Sequence, residues 1–591
     1  MKKALFTLSL LAAAAFANAG DRTEAEMRAI AANKLLQTAN VKSETGTMRH
    51  TGELKLVEKQ AAYNIYTPAE GQGFVIVAKS DLVNPVIGYS TLQFDQNDLP
   101  EGMRWYLNEV SRNIQAKEKY GQPTTRRKAA TYTPVENFIT TIWSQEYPFD
   151  RKTPNNYPAG CVATALAQCL NYYQYPASAQ FEGRYYVTTT SGKNENTEPH
   201  TEPISTTYNW PYKDSYKSIG KYGDNIDELL RDCGFSTYMN YSKNGSGTSI
   251  YDAGVALIEI FQYPEECIKY SMYNYFNGQE EWNQIIYDEL AQKSPVIYGA
   301  SAVNFGGHAF VFSGVDDEGL VYVNWGWRGS GNGFFAIDNL TPPYGNTNID
   351  FSNNHNITYG IRTTPQTGDH IEGSIYAYDQ NPYHFYWGIE KDENEQEHNT
   401  LFCNIPYGFL NMSPVDFRGV FGLFADDLTD GSSWVIAPEL QDRDTIPAGY
   451  GYYSSSEQYK DFAYYYYIDG EKGLKPGHTY RMSFGIKDDY DVTWRSIKCV
   501  GGELAYEITY TGDIETSTIS EMPTTRPLLT GIEHTSWNMT KTYSSDNVTR
   551  VYDLGGRIIY TTPTSQFNLW DIPAHGTFIV RQGQQSRKVV R

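Results

Sequence analysis

Cysteine is scarce, with six in 591 residues. That density is too low for a disulfide scaffold. No two cysteines stand as a C-x-x-C pair, which removes the usual structural-zinc and thioredoxin-like readings. The chain has no H-E-x-x-H and no EF-hand loop, so no metal and no cofactor are expected. Beyond its first residues no run approaches the roughly 18 apolar residues a membrane helix needs, so no transmembrane segment is expected. Cations are in deficit: 48 Lys and Arg face 69 Asp and Glu, a net charge of −21 with a pI near 5.0. This argues against a nucleic-acid partner, which would call for a basic face. What the chain does have is aromatic and apolar mass, 15% and 40%, including 49 tyrosines. That excludes global disorder and favours β-rich structure.

Met1-Lys2-Lys3 is a short basic start, Ala4–Phe16 an apolar run, and Ala17-Asn18-Ala19 a small-residue cleavage site. Together they read as a signal peptide over residues 1–19. The expected location is secreted or attached to the cell surface. At roughly 100–200 residues per domain, three to five folded units are expected. Residues 22–39 carry Met27, Ile30, Ala31, Leu35 and Leu36 at helical steps. Strand-like runs follow at Tyr63–Tyr66 and Phe74–Ala78, then a second helix at about 101–117. The polar stretch Glu118–Thr133, with Arg126-Arg127-Lys128, reads as an exposed linker that closes a small α+β unit at 20–128. Over 129–364, helical patterns near 161–174, 223–234, 251–262 and 280–292 precede strand patterns at Val296–Gly299, His308–Gly314, Leu320–Asn324 and Gly333–Asp338. A helix-rich half before a sheet-rich half is expected, with Asp316–Gly319 turning a hairpin. Residues 365–515 read as a β-sandwich. Residues 516–591 read as a Thr/Ser-rich linker and a last short β unit.

The stretch Tyr157–Pro176 carries the chemistry. Small residues precede Cys161, and Val162, Ala165, Leu166, Cys169 and Leu170 then fill one helical face. Cys161 is thereby expected at a helix start, where the positive end of the helix dipole favours thiolate, the nucleophilic form. Core packing is the open alternative for Cys161 and the preferred reading for Cys169. Of ten histidines, His308 stands apart: Gly306-Gly307 precede it and a strand pattern follows. It lies 147 residues after Cys161, inside the about 130–150 span of papain-type Cys and His. Gln145, 16 residues before Cys161, has the chemistry of an oxyanion-hole donor, and is equally an ordinary loop amide. Asn324, followed by Trp325, lies one strand after His308. An Asn carbonyl can hold an imidazole tautomer and a Trp can shield that bond, although a glycine-rich aromatic turn packed on a sheet fits the same letters.

Taken together, "WSQEYPF", "GCVATALAQCLNYYQYP", "GGHAFVFSGVD" and "YVNWGWRGSGNGFFAID" resemble the streptopain-like, interpain-type secreted cysteine peptidases of Bacteroidetes, over residues 22–364. The resemblance implies an α+β, papain-like catalytic domain of two subdomains behind an N-terminal α+β propeptide. It implies Cys161 as nucleophile, His308 as base then acid, Gln145 as oxyanion donor, and Asn324 with Trp325 orienting and shielding the imidazole. "MNYSKNGSGTS" is similar to the family's substrate loop, which makes Ser246 and Gly247 candidate substrate-binding positions; Thr248 replaces the usual small residue there. The implied partners are protein or peptide substrates, with an apolar residue favoured two positions before the scissile bond, and the chain's own propeptide as intramolecular inhibitor. Val162 after the nucleophile departs from the papain signature C-G-[SA]-C-[WY].

The C-terminal "VYDLGGRIIYTT" and "IPAHGTFIVRQGQQSRKVVR" resemble the sorting domain of type IX secretion, which implies that machinery as a further partner. The rival from another class is a surface adhesin or haemagglutinin-like protein, resting on the aromatic region 365–515. Acyl transfer in place of hydrolysis by the same Cys–His pair is a third reading. Pairing of Cys403 with Cys499 is open, since an oxidising compartment permits it.

Overall fold

The computed structural model describes residues 21–39, 53–120, 132–191, 194–212, 225–276, 279–302, 306–337, 355–377 and, with interruptions, 384–590. The expected signal peptide, the Arg126–Lys128 joint and Asp553–Arg557 of the C-terminal turn lie outside the described residues.

The N-terminal unit opens with α1 (Glu24–Ala39). A capping box starts it: Thr23 N–H donates to Glu26 Oε2 at 2.7 Å, and Glu26 N–H returns a bond to Thr23 Oγ1 at 3.3 Å. Strands β1 (Leu54–Lys59), β2 (Tyr63–Pro68), β3 (Phe74–Ala78) and β4 (Val86–Ser90) form an antiparallel meander. Helix α2 (Glu101–Tyr120) closes the unit.

The next unit begins with α3 (Cys161–Tyr173), followed by the hairpin β5 (Ser178–Ser191) and β6 (Asn194–Thr207). Helix α4 (Ile226–Ser236), β7 (Asn240–Ser242), α5 (Ile250–Glu259), β8 (Lys269–Met272) and α6 (Gln279–Ala291) come next. Last are β9 (Val296–Ala302), β10 (Gly306–Val315), β11 (Val321–Asn324), β12 (Gly333–Phe335) and β13 (His355–Tyr359). The helix-then-sheet order agrees with expectation, with one difference. The long β5–β6 hairpin interrupts the helical half. Its first strand packs Ala179, Phe181 and Tyr185 on the α3 core, while its second is mostly polar and solvated.

One ten-stranded sheet runs β1-β2-β3-β4-β12-β11-β10-β9-β13-β8. The N-terminal meander is joined edge to edge with the following domain through β4 and β12, where Phe334 pairs with Tyr89 and Phe335 with Gly88. The two faces of β10 serve different cores, as the two-residue period of a strand requires. Ala309 and Val311 pack with Val162, Leu166 and Leu170 of α3. Phe310 and Phe312 pack with Trp105, Tyr106 and Val110 of α2. Cys169 is wholly buried in the α3 core. Helix α1 docks on the β10–β11 turn through Lys34, which is only 5% exposed. Its Nζ lies 3.1 Å from both Asp316 Oδ2 and Glu318 Oε2, and Tyr89 Oη donates to the same Asp316 oxygen at 3.0 Å.

Downstream, two three-stranded sheets and an eight-stranded sheet share a core that includes Leu401, Phe409, Phe421, Phe484 and Tyr506. Cys403 and Cys499 are both buried there, and Cys403 carries a free thiol. The region expected as linker from 516 starts with a strand, Thr518–Pro523, paired along Leu504–Tyr510. Threonine suits a strand as well as a loop, and composition alone cannot separate the two. Residues Val548–Val590 hold a four-stranded antiparallel sheet among the described residues. No helix among the described residues is long and apolar enough to cross a membrane.

His355 sits beneath the N-terminal unit. Its ring is 5.8 Å from that of Trp105 on α2, its Nδ1 is 2.8 Å from Tyr298 Oη, and its Nε2 has no partner among the described residues. Burial holds its pKa down at about 4, against an ordinary 6.5. The unfolded chain therefore takes up this proton first. The stability contributed is complete above about pH 6.5 and is lost as pH falls toward 4, up to about 3 kcal/mol. The urea midpoint of the Cys161→Ala chain is expected to fall across that window. His355→Phe is expected to flatten the fall, and an unchanged slope in the variant would refute the assignment.

Candidate active site

Cys161 is the first residue of α3, and the glycine before it decides how the helix starts. Gly160 has φ +92°, and a Cβ there would lie 2.7 Å from Met239 Sδ and 3.2 Å from the Ser246 carbonyl oxygen. Only glycine fits both the backbone angle and the space. The first turn is then closed by Thr164, whose N–H and Oγ1 both donate to Gly160 O, at 3.1 and 3.0 Å. Cys161 is half-buried, with its Sγ 3.4 Å from the N–H of Ala309 on β10. Burial pushes the thiol pKa up. The N–H groups of Ala309, Val162 and Cys161 itself pull it down, and the Glu101 carboxylate at the start of α2 pushes it up again. The net direction is upward.

His308 stands one residue before the Ala309 contact, paired with Ala300 of β9 and half-buried. By strand alternation it shares a face with Phe310 and Phe312. Trp325 lies on that same side, its ring 4.8 Å from Phe310 and 5.9 Å from Tyr106 of α2. The indole is buried and donates from Nε1 to Gly331 O at 3.0 Å. Helix α2 begins directly over it, since a Cβ on Gly102 would be 3.1 Å from the Trp325 ring. Just before α2, Asp98 Oδ1 accepts from Trp327 Nε1 at 3.3 Å and its carbonyl accepts from Ser330 Oγ at 2.7 Å. The N-terminal unit thus covers the face of the sheet that holds Trp325 and that His308 shares.

Gln145 is half-buried, and its carbonyl accepts the Ala159 N–H at 2.7 Å, two residues before Cys161. Neighbouring Ser144 bridges to Trp327. Asn324 is buried on the opposite, α3 side of the sheet, facing across from Val311. Its Nδ2 donates to Thr141 O at 2.7 Å and Gln168 Oε1 at 3.0 Å, and its Oδ1 accepts the Gly326 N–H at 3.0 Å. These bonds run to α3 and the adjoining turn rather than to the imidazole, unlike the expected arrangement. Ser246 and Gly247 close a short loop in which Gly247 and Asn240 exchange backbone bonds of 3.0 and 3.1 Å. Ser246 is buried, its Oγ accepting the Ser242 N–H at 3.4 Å, while Gly247 is exposed with open space at its Cβ position. The Thr248 hydroxyl turns inward to Thr237 O at 2.5 Å. Sequence reasoning missed Gln168, Thr141 and Met239. The available signal for Gln168 was a polar residue seven positions after Cys161, on the buried side of an apolar helix.

A cysteine thus opens a helix, a histidine-bearing strand is laid across it, and an N-terminal unit packs over the face of the sheet that the histidine shares. Residues 143–335 match the family model described as the Peptidase C10 family, and residues 22–114 match that of the Spi protease inhibitor. Streptopain of Streptococcus pyogenes is 30% identical over 304 residues, covering 47% of this chain and 74% of that protein. The thiol protease/hemagglutinin PrtT of Porphyromonas gingivalis is 30% identical over 371 residues, 58% of this chain; the chain spans only 42% of that relative's length. Among solved structures, a prointerpain A fragment of Prevotella intermedia bearing a Cys-to-Ala mutation is 27% identical, with a TM-score of 0.45 over 53% of this chain and 99% of that one. The chain belongs to the Peptidase C10 family.

The geometry at Gly160 gives a direct test. Gly160→Ala places a methyl group against Met239 at a backbone angle that L-residues avoid, so the start of α3 must move. A loss of turnover of about 10²-fold is expected from misplacing the sulfur by an ångström or so, measured as hydrolysis per folded molecule. Wild-type turnover in the variant would show that the helix start is not set by this contact.

Proposed function

We propose that this chain is a secreted cysteine endopeptidase made as a zymogen, in which the Cys161 thiolate attacks the substrate carbonyl carbon. His308 takes the thiol proton and returns it to the leaving amine. The Cys161 N–H and the Gln145 side-chain amide donate to the oxyanion, which carries full charge only in the tetrahedral intermediate. Trp325 shields the imidazole, Asn324 holds the turn that carries Trp325, and Ser246 and Gly247 border the substrate path. The reaction needs no metal or cofactor. The observation that carries this reading is the 3.4 Å approach of the Ala309 N–H to Cys161 Sγ, which brings the strand of His308 to the sulfur.

The division read along the chain is part of the proposal: signal peptide 1–19, propeptide 20–128, catalytic domain 129–364, β-sandwich 365–515, and linker with sorting domain 516–591. Export through type IX machinery rests on the C-terminal motifs. Inhibition by the propeptide is supported by the match at 22–114, the β4–β12 pairing and the seat of α2 on Trp325. The adhesin reading applies to the downstream sheets alone and can hold alongside the peptidase.

Cys161→Ala is expected to abolish peptide hydrolysis and to leave the precursor uncut at the Arg126–Lys128 joint, read by N-terminal sequencing of the secreted protein. A precursor that still matures by itself would refute self-processing. Gln145→Ala is expected to keep a trace of activity, down about 10²–10³-fold in kcat, the usual effect of removing one oxyanion donor.

Breaking the α1 dock is a separate test. Lys34→Met leaves Asp316 buried without its cation, and loss of one partner of a buried pair costs about 3–5 kcal/mol. In the Cys161→Ala background the isolated N-terminal unit, cut at the joint, is expected to dissociate faster from the variant. Equal dissociation rates would show that Lys34 does not hold the dock.

A further inference from the structure

We propose that Gln168 and Thr141, together with Asn324, form a buried brace that sets the position of the nucleophile helix against the histidine sheet, making Gln168 and Thr141 positioning residues for the peptidase reaction. This rests on the reading of Cys161 and His308 given above.

The brace is a closed set of hydrogen bonds. Gln168 Oε1 accepts twice, from Thr141 Oγ1 at 2.8 Å and from Asn324 Nδ2 at 3.0 Å. Asn324 Nδ2 donates its second proton to Thr141 O at 2.7 Å. Gln168 and Asn324 are each 1% exposed and Thr141 4%. Water competes poorly there, and each bond lost leaves a buried polar atom unpaired.

Its members come from the three pieces that must be in register for catalysis. Gln168 lies on α3, two turns after Cys161. Asn324 ends β11, directly opposite Val311 and so three residues along β10 from His308. Thr141 lies in the segment that reaches Gln145 four residues later. A single carbonyl oxygen therefore ties the nucleophile helix to the histidine sheet and to the segment of the oxyanion donor.

A second contact carries the tie to the shield of the imidazole. Asn324 Oδ1 accepts the Gly326 N–H at 3.0 Å, closing a tight turn in which Gly326 has φ +68°. A Cβ on Gly326 would lie 3.2 Å from Thr164 Cγ2, one turn after Cys161. Trp325 stands between the two bonded residues and is thrown to the opposite face, onto Phe310. Helix α3 thus supports the Asn324–Gly326 turn at two successive levels, Thr164 and Gln168. A slide of α3 along β11 would shift the sulfur relative to His308 and disturb Trp325 together. Pure core filling would be served as well by apolar side chains of the same size. A shared acceptor holds one register only.

The test uses matured, secreted enzyme, processed where necessary by adding wild-type enzyme, with active sites counted by a thiol-alkylating peptide probe. Gln168→Met keeps volume and removes the acceptor. Thr141→Val removes one donor and is the milder change, and Thr141→Ser restores the hydroxyl. Gln168→Met is expected to lower kcat per titrated site by about 10²-fold, with KM moving less than about 3-fold, since a misplaced reacting group costs turnover rather than ground-state binding. Thr141→Val is expected to show a smaller loss of the same kind, rescued in Thr141→Ser. The pH profile of iodoacetamide alkylation at Cys161 is expected to shift in both damaging variants, which loss of stability alone would not produce. Wild-type kcat per titrated site and an unshifted profile in Thr141→Val would overturn the brace, even if Gln168→Met failed to fold. Absence of labelling at Cys161 in the wild-type enzyme would overturn the underlying reading, and the brace with it.

Discussion

The junction on which the molecule depends is small. A helix begins at Cys161, and a strand passes its sulfur so closely that the Ala309 N–H sits 3.4 Å away. A helix start offers unpaired N–H groups and this stretch of β10 offers another, so the sulfur placed between them meets the N–H groups of Val162, Cys161 and Ala309. Glycine at 160 makes the placement possible, because its positive φ lets the chain turn into the helix within the space left by Met239 and Ser246. The loop that carries Ser246 is for that reason packed against the residue that launches α3.

The N-terminal unit engages that junction from the other side of the sheet. Its meander adds four strands to the β12 edge, and its second helix lies on Phe310 and Trp325, the face that His308 shares. An open sheet edge is a ready template for a further strand, and β12 is only three residues long. Backbone pairing there is brief, so most of the holding comes from side chains: the Tyr89–Phe334 stack at 5.2 Å, Tyr106 against Phe335, and the Lys34–Asp316 pair.

Much of this was legible in the sequence, and the rest was not for physical reasons. Helix α3 was readable because its buried face is a regular apolar stripe, and His308 because a glycine pair followed by a strand is uncommon company for a histidine. Strands β2, β3 and β9 to β12 were readable; the pairing of the two halves of the sheet through β4 and β12 was not, because a three-residue strand has no periodicity to detect. The hairpin at 178–207 escaped notice because its second strand, Asn194–Thr207, is almost wholly polar, with Ile204 its one buried apolar side chain. The strand at 518–523 escaped because threonine serves linkers and sheets alike. Asn324 was noticed for its type, but its partners are 156 and 183 residues distant in sequence. Nothing local indicates that its amide turns toward α3 rather than toward the imidazole.

The ionisation of Cys161 joins these observations. Three N–H groups favour thiolate, as a helix start should, yet burial prevails, and a charged group adding to it is Glu101, on the covering helix. The N–H groups belong to α3 and β10, whereas the carboxylate belongs to α2. In the proposed maturation, the helix that packs on the face His308 shares therefore also takes with it a charge that opposes the anion, while the groups that stabilise the anion stay.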